Sequence, residues 1–200
     1  FAPPVGGRVG ALVLVNSDDL DVDAAAGSAR FLRAGMGVDL GGVAKGFALD
    51  RAADVLRQRG VRRAFLDLGR SLMFVGPGPL KDGRWLAAIA DPVDPDGLET
   101  CIEVAEGSLS TSSSSGRTLG TIGHILDPSR GAVDGRAVQA TVWSPSATRA
   151  DALSTTLLLL DSRTAYITVT RRGEAAVVYR RSPLARSKLS RKSIGPAQVS

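Results

Sequence analysis

Asp151 and Thr155 are a carboxylate and a hydroxyl four positions apart, so on a helix they project from one face, one turn from each other. Oxygen donors at that spacing suit a hard cation such as magnesium. That ion commonly takes one or two protein carboxylates and completes its octahedron with water and phosphate oxygens. The same residues admit a second reading. Thr148-Arg149-Ala150-Asp151 is also a capping box, in which Thr148 caps the helix and Asp151 reaches back to its amide. His124, the only histidine, stands in an apolar segment that ends at Asp127-Pro128. A histidine there can serve as a general base or phosphate contact near neutral pH, or simply as a hydrogen-bonded turn residue.

A third candidate lies upstream, where Gly41 and Gly42 stand at the start of a helical pattern and Lys45 follows about one turn in. A helix start offers unpaired amides and the positive end of the helix dipole, and glycines let a ligand approach the backbone without meeting a Cβ. Together with the lysine they suggest a phosphate or pyrophosphate seat. The pattern matches neither the P-loop nor the dinucleotide fingerprint, and glycines before helices are also ordinary turn chemistry.

These groups need elements to hold them. Ala44, Ala48, Ala52, Val55 and Leu56 fall on one face of a helix that ends near Arg59-Gly60. Apolar runs predict strands over 11–15, 28–32, 63–68, 72–75, 85–89, 101–104, 138–143 and 175–179, and a helix over 150–160. Residues 165–170 are strand-like by propensity, with helix as the alternative. The serine run within 109–116 reads as a flexible linker on composition alone. Residues 181–200 hold basic and serine residues with no acid, the pattern of a solvated or disordered tail.

With 200 residues and 44% hydrophobic content the chain can bury a real core, resting on aliphatic residues because aromatics make up only 4%. The net charge of +5 invites a nucleic-acid reading, but its distribution argues against one. Eight Lys or Arg face the single Glu174 from Arg171 onward, a local +7 that leaves the first 170 residues at −2. The lone Cys101 excludes an internal disulfide and a cysteine-rich zinc site. No signal peptide or membrane span is visible, and Phe1 is not a natural initiator.

Taken in order, the motifs resemble the FAD:protein FMN transferase family, the ApbE-type flavin transferases. The matching residues are Asp39-Leu40-Gly41-Gly42-Val43-Ala44-Lys45-Gly46 with Asp50, Asp67-Leu68-Gly69, Ser110-Thr111-Ser112, His124-Ile125-Leu126-Asp127-Pro128-Ser129-Arg130-Gly131, and Ala147-Thr148-Arg149-Ala150-Asp151-Ala152-Leu153-Ser154-Thr155. The resemblance implies an α/β (α+β) fold of mixed sheets packed with helices, in the T-fold-like architecture of flavin transferases. Residues 1–180 would be the C-terminal two thirds of the family domain, lacking its N-terminal third, with 181–200 as a basic tail.

In function, the resemblance implies Mg²⁺-dependent transfer of FMN from FAD to a Ser or Thr hydroxyl of an acceptor flavoprotein subunit, with AMP released and a phosphoester-linked flavin formed. Gly41, Gly42, Lys45, Asp50, Gly69, Thr111, Ser112 and His124 would contact FAD, Ala44, Asp151 and Thr155 would hold Mg²⁺, and His124 would accept the proton of the incoming hydroxyl. On these terms the ligand reading of Asp151 is preferred to the cap. The resemblance also implies a bacterial periplasmic or cell-envelope setting, with the cytoplasm as the alternative, and membrane association through an anchor upstream of Phe1. Where the family carries a glycine and then an acidic or amide residue after Gly69, this chain has Arg70 and Ser71, and Ser113 replaces a usual glycine. Such changes would crowd or recharge the FAD pocket. They keep open FAD hydrolysis to FMN and AMP, and non-catalytic flavin binding.

Overall fold

The computed structural model describes residues 14–94, 97–114, 118–119, 122–123, 125, 127, 137–171, 173–181 and 189–195. The chain divides into two compact units, Phe1–Asp39 with Ile125–Val133, and Leu40–His124 with Asp134–Ser200.

In the first unit a 3-10 turn, Ser17–Asp19, precedes an antiparallel hairpin of β1 (Leu20–Asp23) and β2 (Ser28–Phe31). Asp23 closes the hairpin by accepting from the amides of Ala25 and Ala26 at 3.0 and 2.9 Å, as expected of an Asx turn. β2 falls where the strand over 28–32 was expected. Of the strand expected over 11–15, Leu14 and Val15 are not in a strand, and 11–13 lie outside the described residues.

The second unit is built on a six-stranded antiparallel sheet. Its elements are α1 (Ala44–Gln58), β3 (Ala64–Leu68), β4 (Ser71–Val75), β5 (Trp85–Ala90), β6 (Leu98–Val104), β7 (Gly107–Ser113), the short pair β8 (Thr118–Leu119) and β9 (Ile122–Gly123), β10 (Ala137–Ser144), α2 (Ala147–Thr156), α3 (Ser162–Thr170), β11 (Ala175–Arg181) and β12 (Leu189–Ile194). The sheet order is β12-β11-β10-β7-β4-β3. Strand alternation divides its side chains between two environments. Phe74, Leu109, Trp143, Val177 and Tyr179 meet Ala87, Ile89, Ile102 and Val104 of the β5–β6 hairpin in one core. On the other face Met73 and Val75 pack with Leu49, Ala53 and Ala147 of the helices.

Four expectations are corrected here. The serine run is no linker: residues 107–113 form the buried strand β7 between β4 and β10, with Ser110 opposite both Ser71 and Val142. A serine strand is stable there because its hydroxyls find partners. Ser108 donates to Leu72 O at 2.6 Å, and Thr111 pairs with Thr141 at 2.8 Å.

α1 turns a different face inward from the one its spacing suggested, burying Gly46, Leu49 and Ala53 while Val55 is half exposed. Close approach at Gly46 sets that rotation, as shown below. Residues 162–170 are helix α3, not strand. Asp161 accepts from the Thr164 hydroxyl and from the Thr164 and Arg163 amides, a local cap that overrides the β-branched composition and holds its carboxyl down at about 2. Finally, residues 181–200 are not all structureless, because 189–194 pair with β11 as the edge strand β12 and bury Ile194. Arg191 and Lys192 are exposed on that edge, the usual protection of an open strand against further pairing. Among the described residues no helix is long and apolar enough to cross a membrane.

Candidate functional site

α1 and α2 meet at a contact that only glycine permits. A Cβ at Gly46 would stand 2.1 Å from Ala147 O and 2.7 Å from Thr148 Cα, both rigid backbone. One turn further along α1, Asp50 seals the junction. Its carboxylate accepts from Ala147 N at 2.8 Å, Thr148 N at 2.9 Å, Thr148 Oγ1 at 2.6 Å and Ser146 Oγ at 2.9 Å. Burial alone would raise the pKa of Asp50, but the hydrogen bonds from Thr148, Ala147 and Ser146 outweigh it and hold the carboxyl below its ordinary value. The N-cap of α2 is Ser146, assisted from outside the helix by Asp50. The capping box read into Thr148 and Asp151 is therefore absent: Thr148 is already helical, and Asp151 bonds elsewhere.

Asp151 lies on α2 with its side chain only 1% exposed. Its Oδ1 receives Lys45 Nζ at 2.9 Å, Ser110 Oγ at 3.2 Å and Ser71 Oγ at 3.4 Å, and its Oδ2 receives the Gly46 amide at 3.0 Å. Ser71 and Ser110 are themselves 3.0 Å apart. One turn along α2, Thr155 Oγ1 is 3.0 Å from Ser112 Oγ, which also meets Ser154 Oγ at 2.8 Å. Gly42 sits across from Thr155: a Cβ built there would be 3.6 Å from Thr155 Oγ1. Thus Gly42, Lys45, Ser112, Asp151 and Thr155 are one cluster. It is joined by Gly41 in the turn before α1 and Ala44 at the first position of that helix.

A further ion pair steadies the start of α2. Arg149 Nε donates to the buried Glu174 at 2.6 Å, Ser144 Oγ donates to the same oxygen at 3.2 Å, and the hydrogen bond to Glu174 raises the Arg149 pKa.

Other expected contacts lie apart from this cluster. Thr111 falls between Ser110 and Ser112, so strand alternation turns it to the opposite face of the sheet, toward Thr141. There a shallow pocket is lined by Gly69, Arg70, Leu72, Ala88, Ala90 and Thr111. Asp50 is engaged in capping. His124 lies outside the described residues. Ser71 extends the cluster by donating to Asp151, and Ser113 is a buried end of β7. Ser71 and Ser110 are partners of Asp151 that spacing missed. The usable signal was the period of two in Ser108, Ser110 and Ser112, which puts all three on one face of a strand.

The donor chemistry fits a divalent cation. The Asp151 carboxylate and the Thr155 hydroxyl are hard oxygen ligands, and the cation now on Asp151 is a lysine ammonium. Among the described residues no group of three or more His, Cys, Asp or Glu could hold a metal.

The ApbE family model matches residues 8–179. Among similar proteins are the FAD:protein FMN transferase of Vibrio cholerae, 32% identical over 130 residues, covering 62% of this chain and 38% of that protein. The enzyme of the same name from Escherichia coli is 31% identical over 147 residues, covering 69% and 41%. The crystal structure of the ApbE protein from Thermotoga maritima superposes with a TM-score of 0.75 at 28% identity, over 89% of this chain and 59% of that one. The apo Pseudomonas stutzeri flavinyl transferase ApbE gives 0.74 at 26% identity, over 97% and 59%. The chain spans about two fifths of the length of the curated relatives it matches.

Proposed function

We propose, from the premise that this chain belongs to the ApbE family, that it takes part in transferring FMN from FAD to a Ser or Thr hydroxyl of an acceptor protein, releasing AMP and leaving a phosphoester-linked flavin. The observation that carries this reading is the buried Asp151 carboxylate beside the glycine-opened start of α1, with Lys45 and Thr155 at the same place. Gly41, Gly42 and the first turn of α1 are assigned to the pyrophosphate, because the positive end of the helix dipole favours an anion there and the glycines let it approach the backbone. Lys45 adds a positive charge that can reach a phosphate oxygen. Asp151, Thr155 and the Ala44 carbonyl are assigned to Mg²⁺. When bound, the cation would offset the phosphate charge and make phosphorus open to attack and AMP a better leaving group.

Asp50, Gly46 and the Arg149–Glu174 pair are assigned a positioning role and no chemistry. Gly46 and Asp50 set how closely α1 meets the start of α2, and the Arg149–Glu174 pair ties that start to the residue preceding β11. Gly69 and Thr111 are assigned to another part of FAD, through the pocket on the far face of the sheet. His124 is assigned, on its place in the sequence, to accept the proton of the incoming hydroxyl.

The test is mass spectrometry of an acceptor protein incubated with this chain, FAD and Mg²⁺. The reading predicts an acceptor heavier by FMN on a Ser or Thr, with AMP released in equal amount. AMP release with an unmodified acceptor would favour FAD hydrolysis, and neither product would contradict the catalytic reading.

A further inference from the structure

We infer that Lys45 is a built-in competitor for the divalent cation: its ammonium holds the Asp151 carboxylate while no metal is bound and must leave Oδ1 before a metal can take that oxygen. The inference rests on the reading of Asp151 as the metal carboxylate.

Asp151 is almost wholly removed from solvent, whereas the Lys45 side chain remains 41% exposed, and the two meet at 2.9 Å. The other groups described on that carboxylate, the Gly46 amide and the Ser71 and Ser110 hydroxyls, are neutral. A buried carboxylate without a counter-charge is strongly unfavourable, and the Lys45 ammonium at 2.9 Å is the counter-charge described on Asp151. An ammonium and a divalent cation on the same oxygen repel each other, and the more so in a poorly solvated site, so they compete for Oδ1.

The mobile partner is the lysine. Asp151 is fixed by α2 and by three neutral donors, while a four-carbon stem lets Nζ swing to solvent without moving α1. Metal affinity is thereby set lower than the oxygen ligands alone would give. The released ammonium becomes available to a phosphate oxygen, so that metal and diphosphate each favour the same displaced lysine and assist one another's binding.

The experiment titrates Mn²⁺, followed by electron paramagnetic resonance, into wild type, Lys45→Met, Lys45→Gln and Asp151→Asn, with no flavin present. Melting temperature is read in parallel. Lys45→Met is expected to bind Mn²⁺ about tenfold more tightly than wild type, the lower end of what a charge-assisted hydrogen bond supplies. Its melting temperature should rise further on Mn²⁺ addition than that of wild type. Lys45→Gln, which keeps a hydrogen bond but no charge, should behave alike and serves if the methionine variant folds poorly. Unchanged or weaker Mn²⁺ binding in both lysine variants, with binding still abolished by Asp151→Asn, overturns the inference and leaves the metal site standing. Mn²⁺ binding that survives Asp151→Asn overturns both.

Discussion

Gly46→Ala isolates the contact on which the α1–α2 junction depends. The added Cβ would lie 2.1 Å from Ala147 O, 2.6 Å from Ala147 C and 2.7 Å from Thr148 Cα. Non-bonded carbons sit comfortably at about 3.5 Å or more, so the two helices must separate by roughly 1 Å. Two terms oppose each other. Alanine is the better helix former by about 1 kcal/mol. Against it stand about 1–3 kcal/mol of overpacking and about 1 kcal/mol from stretching the Asp50 cap on α2. The Gly46 amide also moves off Asp151, leaving a buried carboxylate with one donor fewer. Overpacking and the lost cap win, and the variant should be less stable by about 2 kcal/mol. Urea denaturation checks this: the midpoint should fall with little change in slope. A variant as stable as wild type, or more so, would refute the claim that backbone approach at Gly46 sets the junction.

Asp50→Asn should lower stability near neutral pH by about 1 kcal/mol. Because the folded pKa of Asp50 is depressed, its contribution is present above the ordinary carboxylate range and is lost as pH falls through the folded value. Wild type should therefore lose more stability than Asp50→Asn across that acid range; parallel acid-denaturation curves would contradict this. Removing residues 189–200 deletes β12, exposes the β11 edge and strips the buried Ile194 from the core, so stability should fall by about 2 kcal/mol or more. An unchanged denaturation midpoint would show that β12 does not hold the sheet. His124→Ala should slow FMN transfer on the order of 10²-fold while barely changing FAD affinity, since a proton acceptor acts in the transition state. Turnover that survives alongside a lower melting temperature would make His124 structural.

Much of the arrangement was legible in local patterns. The glycine-opened helix at Ala44, the strands at Ala64, Ser71 and Trp85, and the proximity of Asp151 to Thr155 all follow from periodicity within one element. What was not legible depends on partners distant in sequence. The serine run looks like a linker until Ser71, Thr141 and Ser154 are there to take its hydroxyls. Asp151 looks like a cap until Asp50, about a hundred residues earlier, takes over the capping of α2. The buried face of α1 is chosen by a missing Cβ at Gly46, which a hydrophobicity count treats as neutral. Residues 189–194, with no run of apolar residues, become a strand because β11 offers an open edge.

If the α1–α2 junction around Asp151 holds the cation that serves the FAD pyrophosphate, Mg²⁺ must stabilise the FAD-bound protein through that carboxylate. The most direct measurement is the Mg²⁺-induced change in melting temperature, in the presence of FAD, for wild type and Asp151→Asn. A clear rise is expected for wild type, none for Asp151→Asn, and a weaker form of the same loss for Thr155→Ala. Equal Mg²⁺-induced shifts in wild type and Asp151→Asn would contradict it.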